Sequence, residues 1–593
     1  MNPRPTGELN VRSVAVGVLV AAFVGTVYPY IVLKLGFGPT VSVVSAFIGY
    51  VVLGAVGAVF GAKFRGNRFE YNIVQTAGTA SAQSAFMCVL LAAFDLLAAK
   101  PELGFSMSLS AWQVFAWISV AGMLGVLLAV PLRKHYIDEE NLRFPDGTAV
   151  GEAMVLLDQE GSGAKDKVRM LGIGAALGAL STWFRDAAPK VIPEATKFGE
   201  YFGKLNVGIG WSALSFGSGV LVGLRVTLSM GLGTLVSWVL LPPWLAANGY
   251  IAEPTFGVTL RWVMWPATGM LVAGGLTALA LKWQVVAKTF TGLTKGGLTE
   301  GTDVPLKWVG LGCAVLSIAL IVLQWLSLGV APWESALAIL FSVPIMLVGI
   351  RVLGETNWAP ISALANLMQV VFAAISPGSI GTNMVASGMS GTVAGSGEHL
   401  MQDYRAGQII GSNNRSLTAM QLIATPVGAA AVAIVYPLLR AQYGVGPERF
   451  GLSAESAAAG AGPGLSSPIS VKWAGFAELL MGGLDKLPKY ALHALVISLV
   501  LGVVLTILEG RVKQWAPSPT GMALGMLIPG IYVLPMVLGA LSSEAWRRAR
   551  PQQQEAFATP LASGLIVGEA LLAVALTTLA IFGIRFGAGG GGH

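Results

Sequence analysis

Glu569 stands in the run GLIVGEALLAVAL, with no other charged residue beside it. Exposing a carboxylate to hydrocarbon costs several kcal/mol, so this one is expected to face a hydrated cavity or a partner, where intramembrane carboxylates commonly relay protons. Replacing it by Gln is expected to weaken proton-driven work more than binding. A second carboxylate, Glu152, follows the stretch RFPDGTAV. Pro145 lacks an N–H, Gly147 tolerates unusual dihedrals, and Asp146 or Thr148 can cap free backbone amides, so the stretch predicts a turn into a helix. If that helix starts inside the protein, its positive end faces an anionic group; if it starts in water, Glu152 is an ordinary solvated residue. Weaker cases of polar residues in apolar surroundings are Asp95, Arg225, Glu355 and Asn357.

Two further stretches combine hydroxyl, amide and glycine between apolar runs: NIVQTAGTASAQS from Asn72, and GSIGTNMVASGMSGTVAGSGEHLMQ from Gly378. Either they pack closely through small residues, or they line a wet pathway, the only place where lipid-depth polar backbone is tolerated. The second reading makes Asn72, Gln75, Gln83, Asn383, Ser387, Ser390, Thr392 and Glu398 candidates for substrate binding, and Tyr532, in IPGIYVLPM, is a further candidate. Glu398 and His399 point about 100° apart on a helix and are poorly placed to chelate one ion. After them QDYRAGQ is expected to be a cytoplasmic loop with Asp403 paired to Arg405.

The elements that must hold these residues follow from composition. Of 593 residues, 54% are hydrophobic and 11% charged, less than half the charge of a soluble domain. Apolar windows of about 20 residues recur along the whole chain. The fold is expected to be an all-α polytopic membrane protein with about 14 to 16 transmembrane helices, some broken or re-entrant. Trp211–Leu224 and Met522–Leu541 are the short or interrupted segments. Basic residues gather after alternate spans (Lys63, Arg65, Arg133, Lys134, Lys282, Lys288 and Lys295), which places the N-terminus in the cytoplasm of a cell membrane. The net charge of +7 therefore reflects orientation rather than nucleic-acid binding. Trp262, Trp265, Trp308, Trp325 and Trp358 near helix ends are expected to be interfacial anchors. The segment from Gly444 to Lys486 reads as an extracytoplasmic lid or flexible loop.

Similar segments about 300 residues apart suggest two pseudo-symmetric repeats, residues 1–300 and 301–593: NIVQTAGTAS with NMVASGMSGT, GSGVLVGLRVTLSMGLG with GMLIPGIYVLPMVLG, and TGMLVAGGL with SGLIVGEAL. Many carriers build a midplane site at such a repeat interface. Walker A, HExxH and GxSxG motifs are absent, which disfavours ATP hydrolysis and the matching enzymatic routes. Two cysteines and scattered histidines form no metal motif, so neither enzyme activity nor a cofactor is expected. A passive channel is the alternative to a carrier, but no ring of charges or carbonyl filter is evident.

NIVQTAGTASAQS, FPDGTAVGEAM, GEHLMQDYRAGQIIGSNNRSLTAMQLIATPVGA and IPGIYVLPMVLGALSS, in this order, resemble the oligopeptide transporter (OPT) family over nearly the whole chain. The NPG and KIPPR motifs of its peptide branch are absent, so the resemblance is nearer to the yellow-stripe-like metal-chelate branch. It implies proton-coupled symport of small peptides or peptide-like metal chelates by alternating access, with protons and the lipid bilayer as partners and a homodimer left open. It also implies that Pro145, Gly147, Thr148 and Glu152 belong to the transport core.

Overall fold

In a bilayer core no water is present to satisfy the peptide backbone, so apolar windows must fold as helices. The computed structural model has that all-α polytopic architecture. It describes residues 8–581 except 36–40, 62–65, 159–161, 188–190, 282–303, 446–449, 455–464, 482–487, 513–515 and the single positions 106, 108, 194, 357, 358, 360 and 466. The first helices are α1 (Val11–Leu35), α2 (Val41–Phe60), α3 (Arg68–Phe86), α4 (Cys88–Ala98), α5 (Ala111–Ala129), α6 (Pro145–Asp158) and α7 (Ser162–Thr182). Next come α8 (Gly199–Lys204), α9 (Ala213–Val222), α10 (Leu224–Leu235), α11 (Leu241–Ala247) and α12 (Phe256–Ala280). The remainder are α13 (Leu306–Leu328), α14 (Pro332–Thr356), α15 (Ile361–Ile375), α16 (Ile380–Ile410), α17 (Asn414–Tyr443), α18 (Pro468–Met481), α19 (Ala491–Arg511), α20 (Pro519–Leu527), α21 (Gly530–Ala549) and α22 (Pro551–Ile581). Eight helical spans among the described residues are long and apolar enough to cross a membrane.

The chain forms two compact units. One comprises Met1–Glu140, Gln284–Ile350 and Ile361–Lys486; the other comprises Asn141–Trp283, Arg351–Pro360 and Leu487–His593. Each therefore draws on both sides of residue 300. In the first unit α3 is surrounded by α1, α2, α16 and α17. Almost every residue from Glu70 to Ala85 is buried, although the helix is poor in large apolar side chains. Small residues make this compatible with close packing: a Cβ on Gly25 of α1 would lie 2.7 Å from Ser81 Oγ and 2.8 Å from Ala431 Cβ.

In the second unit the helices meet in pairs, α7 with α22, α12 with α19, α9 with α21 and α10 with α20. The first pair apposes two GxxxG steps, Gly174 and Gly178 against Gly564 and Gly568. A Cβ on Gly178 would stand 2.3 Å from Leu565 O, and one on Gly568 1.9 Å from Ala175 O. Backbones can approach this closely only where side chains are missing.

The two segments expected to be short or interrupted are so: Met522–Leu541 is two helices, α20 and α21, separated at Ile528 and Pro529, and Trp211–Leu224 holds the short α9, ended by Gly223 at φ 90°. Other expectations are corrected. The polar helix beginning near Gly378 does not stop at His399. It runs to Ile410 and ends on Gly411 in the left-handed conformation, so QDYRAGQ is helix and not loop. Part of Gly444–Lys486 is the packed helix α18, whose Trp473 is fully buried. Trp262 and Trp265 are buried against protein, while Trp308 and Trp325 are exposed. An antiparallel pair, β1 (Ala195–Lys197) and β2 (Gly208–Gly210), was not foreseen. Lys63, Arg65, Lys282, Lys288, Lys295, Asn357 and Trp358 lie outside the described residues.

A Cβ on Gly525 would stand 1.8 Å from Met230 O, whereas one on Gly172 would meet nothing within 4 Å. Gly525→Ala should therefore cost about 1–3 kcal/mol through overpacking. Gly172→Ala should be neutral or stabilising by up to about 1 kcal/mol, since Ala is the better helix former. Thermal unfolding of the detergent-purified variants measures both.

Candidate functional site

The polar residues of α3 recur with helical spacing. Asn72, Gln75, Thr76, Thr79 and Gln83 fall at steps of three and four and so share one face. All five are buried. Asn72 donates from Nδ2 to Ser412 Oγ at 3.2 Å. Its Oδ1 has no partner among the described residues, and the same holds for Gln75 Oε1, Thr76 Oγ1 and Gln83 Nε2. Native interiors leave few such atoms, and each calls for water or a bound polar group.

On α16 the candidates divide. Asn383 donates from Nδ2 to Gln369 O of α15. Ser387, Ser390 and Thr392 donate to Met384 O, Ala386 O and Gly388 O of their own helix, at 3.1, 2.8 and 2.8 Å. These three hydroxyls are therefore already engaged. Glu398 is completely buried, and neither carboxyl oxygen has a hydrogen-bond partner. It lies against Gly349 of α14, whereas α3 meets α16 through Gln83 beside Gly395 and through Asp403. The polar residues of α3 and α16 are thus brought together only in part.

Asp403 was not among the candidates. Instead of pairing with Arg405 in water, it is fully buried and receives three side chains from two neighbouring helices. Gln75 Nε2 donates to Oδ1 at 2.6 Å, Gln421 Nε2 to Oδ2 at 2.5 Å, and Thr79 Oγ1 lies 3.1 and 3.0 Å from the two oxygens. Its carboxylate joins α3, α16 and α17. The usable sequence signal was Gly411, the glycine that ends a helix. It would have moved the end of α16 past Asp403.

The other candidates lie in the second unit. Tyr532 is half-buried on α21 and Glu152 half-buried on α6, which begins at Pro145. Phe144, just before it, is buried with φ 41° and donates its N–H to Gly354 O at 3.0 Å. Glu569 is not isolated. Arg185 Nη1 lies 2.8 Å from its Oε1, Ser212 Oγ donates to the same oxygen at 3.0 Å, and the Leu214 N–H donates to Oε2 at 2.7 Å. The carboxylate thus closes the N-terminus of α9, where a helix favours negative charge. At the other end Arg143 Nη1 donates to Leu221 O and Val222 O at 3.2 and 3.0 Å.

The half-helix α20 repeats the N-terminal arrangement. Its N-cap Ser518 donates to Glu355 Oε2 at 3.2 Å, and Arg351 Nε lies 3.1 Å from Glu355 Oε1. Each half-helix therefore starts at a serine bonded to a glutamate that is ion-paired to an arginine. No group of three or more His, Cys, Asp or Glu able to hold a metal ion occurs among the described residues.

The family model described as OPT oligopeptide transporter protein matches residues 8–580. A probable metal-nicotianamine transporter of Oryza sativa subsp. japonica is 22% identical over 663 aligned residues, covering 98% of this chain and 92% of that protein. A probable metal-nicotianamine transporter of Arabidopsis thaliana is 23% identical over 530, covering 80% and 75%.

The Asp403 cage accepts at every contact, so an amide there would turn a donor toward a donor. Asp403→Asn should cost about 2–3 kcal/mol, as for a lost charged hydrogen bond with a neighbour left unpaired. Asp403→Asn paired with Gln421→Glu, which restores an acceptor opposite the new amide, should recover part of it. The unfolding midpoints of the single and double variants provide the measurement.

Proposed function

The chain belongs to the oligopeptide transporter family, and on that premise we propose that it is a secondary active transporter. It carries small peptides or peptide-like metal chelates across a cell membrane in symport with protons, by alternating access, with its N-terminus in the cytoplasm. The names of the rice and Arabidopsis relatives support the chelate as cargo. The observation that carries the reading is the face of α3, where Asn72, Gln75, Thr76 and Gln83 offer buried donors and acceptors that have no partner among the described residues. Such atoms suit a hydrated polar solute and would be a pure cost in an inert scaffold.

Alternating access through related halves belongs to the same proposal. What supports it is the exchange of partners in the second unit: α9 packs on α21 and α10 on α20. A two-fold operation carrying α9 to α20 and α10 to α21 would produce that exchange. The matched Ser212–Glu569–Arg185 and Ser518–Glu355–Arg351 groups fit the same operation.

Glu569 can serve coupling through its ion pair. A proton on this carboxylate would weaken its hold on Arg185 and on the start of α9, which would free the half-helix to move. Glu152, on α6 packed against the same α22, is the second candidate for this role.

In proteoliposomes with an imposed pH gradient, wild type should accumulate nickel(II)–nicotianamine or a tripeptide, and dissipating the gradient should abolish accumulation. Glu569→Gln should lower gradient-driven uptake roughly 10–100-fold, the kinetic equivalent of a lost charged hydrogen bond, with a smaller change in equilibrium binding. Gradient-independent currents, or equal coupling in variant and wild type, would refute the corresponding part.

A further inference from the structure

We propose that Glu398 is a buried proton-binding site, loaded in this conformation and emptied when α14 and α16 part. Its use as the carrier of the coupling proton rests on the transport reading above.

The argument begins with what surrounds the carboxyl. Oε1 stands 2.0 Å from the point where a Cβ on Gly349 would lie, so it occupies the space that this glycine leaves on α14. Leu364 Cδ1 is 3.4 Å from the same point. One residue earlier, Gly397 faces the Met346 sulfur, 2.7 Å from its own missing Cβ. The carboxyl therefore sits against the backbone of Gly349 and beside the aliphatic side chain of Leu364, and no donor reaches it among the described residues.

Among the described residues no cation bonds to it. Helices α5 and α15, both packed on α16, contain no Asp, Glu, His, Lys or Arg. On α14, Arg351 is held by Glu355, and Glu334 by Ser376 and Thr382. The π-turn Lys134–Glu139 brings His135, which lies 3.6 Å from Glu139 and 3.5 Å from Glu140, together with Lys134 and Asp138, the latter paired with Arg133. On α3, Glu70 is held by Arg12, with Arg68 in the same first turn; on α17, Arg440 is held by Asp95, with Arg415 at the opposite end. Helix α18 carries Lys472 and Glu478. On α16 itself, Asp403 is caged by Gln75, Thr79 and Gln421, His399 projects about 100° away from Glu398, and Arg405, two turns further along the same face, donates to Gln408 Oε1 at 2.7 Å.

An ionised carboxylate in such a place would carry an uncompensated desolvation cost. A bound proton removes the charge and leaves a small neutral group that the pocket fits. Pro344, five residues before Gly349, removes a backbone hydrogen bond from α14 and marks where that helix can bend away. Once water reaches the carboxyl, the O–H bond breaks, the electron pair stays on oxygen, and the proton passes to water.

Infrared spectra of the full chain in liposomes test the site without any cargo. Wild type at neutral pH should show the carbonyl stretch of a protonated carboxyl in dry surroundings, and Glu398→Gln should lack it. Absence of the band from wild type, or its persistence in Glu398→Gln, overturns the proposal. Glu398→Met, apolar and similar in length, should fold with an unfolding midpoint no lower than wild type and should also lack the band. A lowered midpoint would mean a group satisfied by its charge, and would overturn it too. In the transport arm, Glu398→Gln should exchange nickel(II)–nicotianamine at equilibrium yet lose gradient-driven accumulation about tenfold or more. Undiminished accumulation overturns the coupling role. Gradient-independent uptake by wild type with the band intact would instead overturn the symport reading and leave the proton site standing.

Discussion

A charge carried into an apolar helix has to meet a group that replaces its lost hydration, and that requirement organises much of this molecule. Asp95 meets Arg440 at 2.7 Å, Arg225 meets Glu509 at 2.7 Å, Glu569 meets Arg185 at 2.8 Å, and Glu70 meets Arg12. Each pair ties helices that are far apart in sequence. Asp95 and Arg440 join α4 to α17, and Arg225 and Glu509 join α10 to α19. Breaking one by removing a single partner strands a charge, which is why such pairs fix register more firmly than their net stabilisation suggests. Asp403 meets the same requirement with neutral donors alone.

Glycine supplies the second half of the design. Paired carboxylates and arginines can reach one another only if their helices lie close, and the close approaches are made by Gly178, Gly219, Gly525 and Gly568 against opposing carbonyl oxygens. In a bilayer there is little hydrophobic gain from bringing two helices together, so contact between backbones becomes the main source of cohesion. The 76 glycines of the sequence are in this sense structural, although an equal number in a soluble helical protein would destabilise it.

The membrane class, most helix positions and the interruption near Trp211–Leu224 were legible in the sequence, because apolar windows and glycine or proline punctuation are local signals. The FPDG stretch likewise forms the helix start that its residue types dictate. Partnerships were not legible. Glu569 reads as solitary because Arg185 and Ser212 lie more than 350 residues earlier, and nothing in GLIVGEALLAVAL points to them. Asp403 was misread for a related reason. A charged stretch after a polar helix resembles a loop until one sees that Gln75 and Gln421 arrive from other helices to receive it. Ser387, Ser390 and Thr392 show the converse limit: their polarity suggested an outward role, whereas a hydroxyl can be satisfied by the turn of helix beneath it.

The short helix α9 has Glu569 at its start and Arg143 at its end. These two side chains oppose the dipole of the backbone they bracket, and Arg185 balances the carboxylate in turn, so neither end of the segment presents bare backbone charge. A solute moving beside it would feel neither the pull nor the repulsion that a bare half-helix exerts. Discrimination by charge is then left to individual side chains.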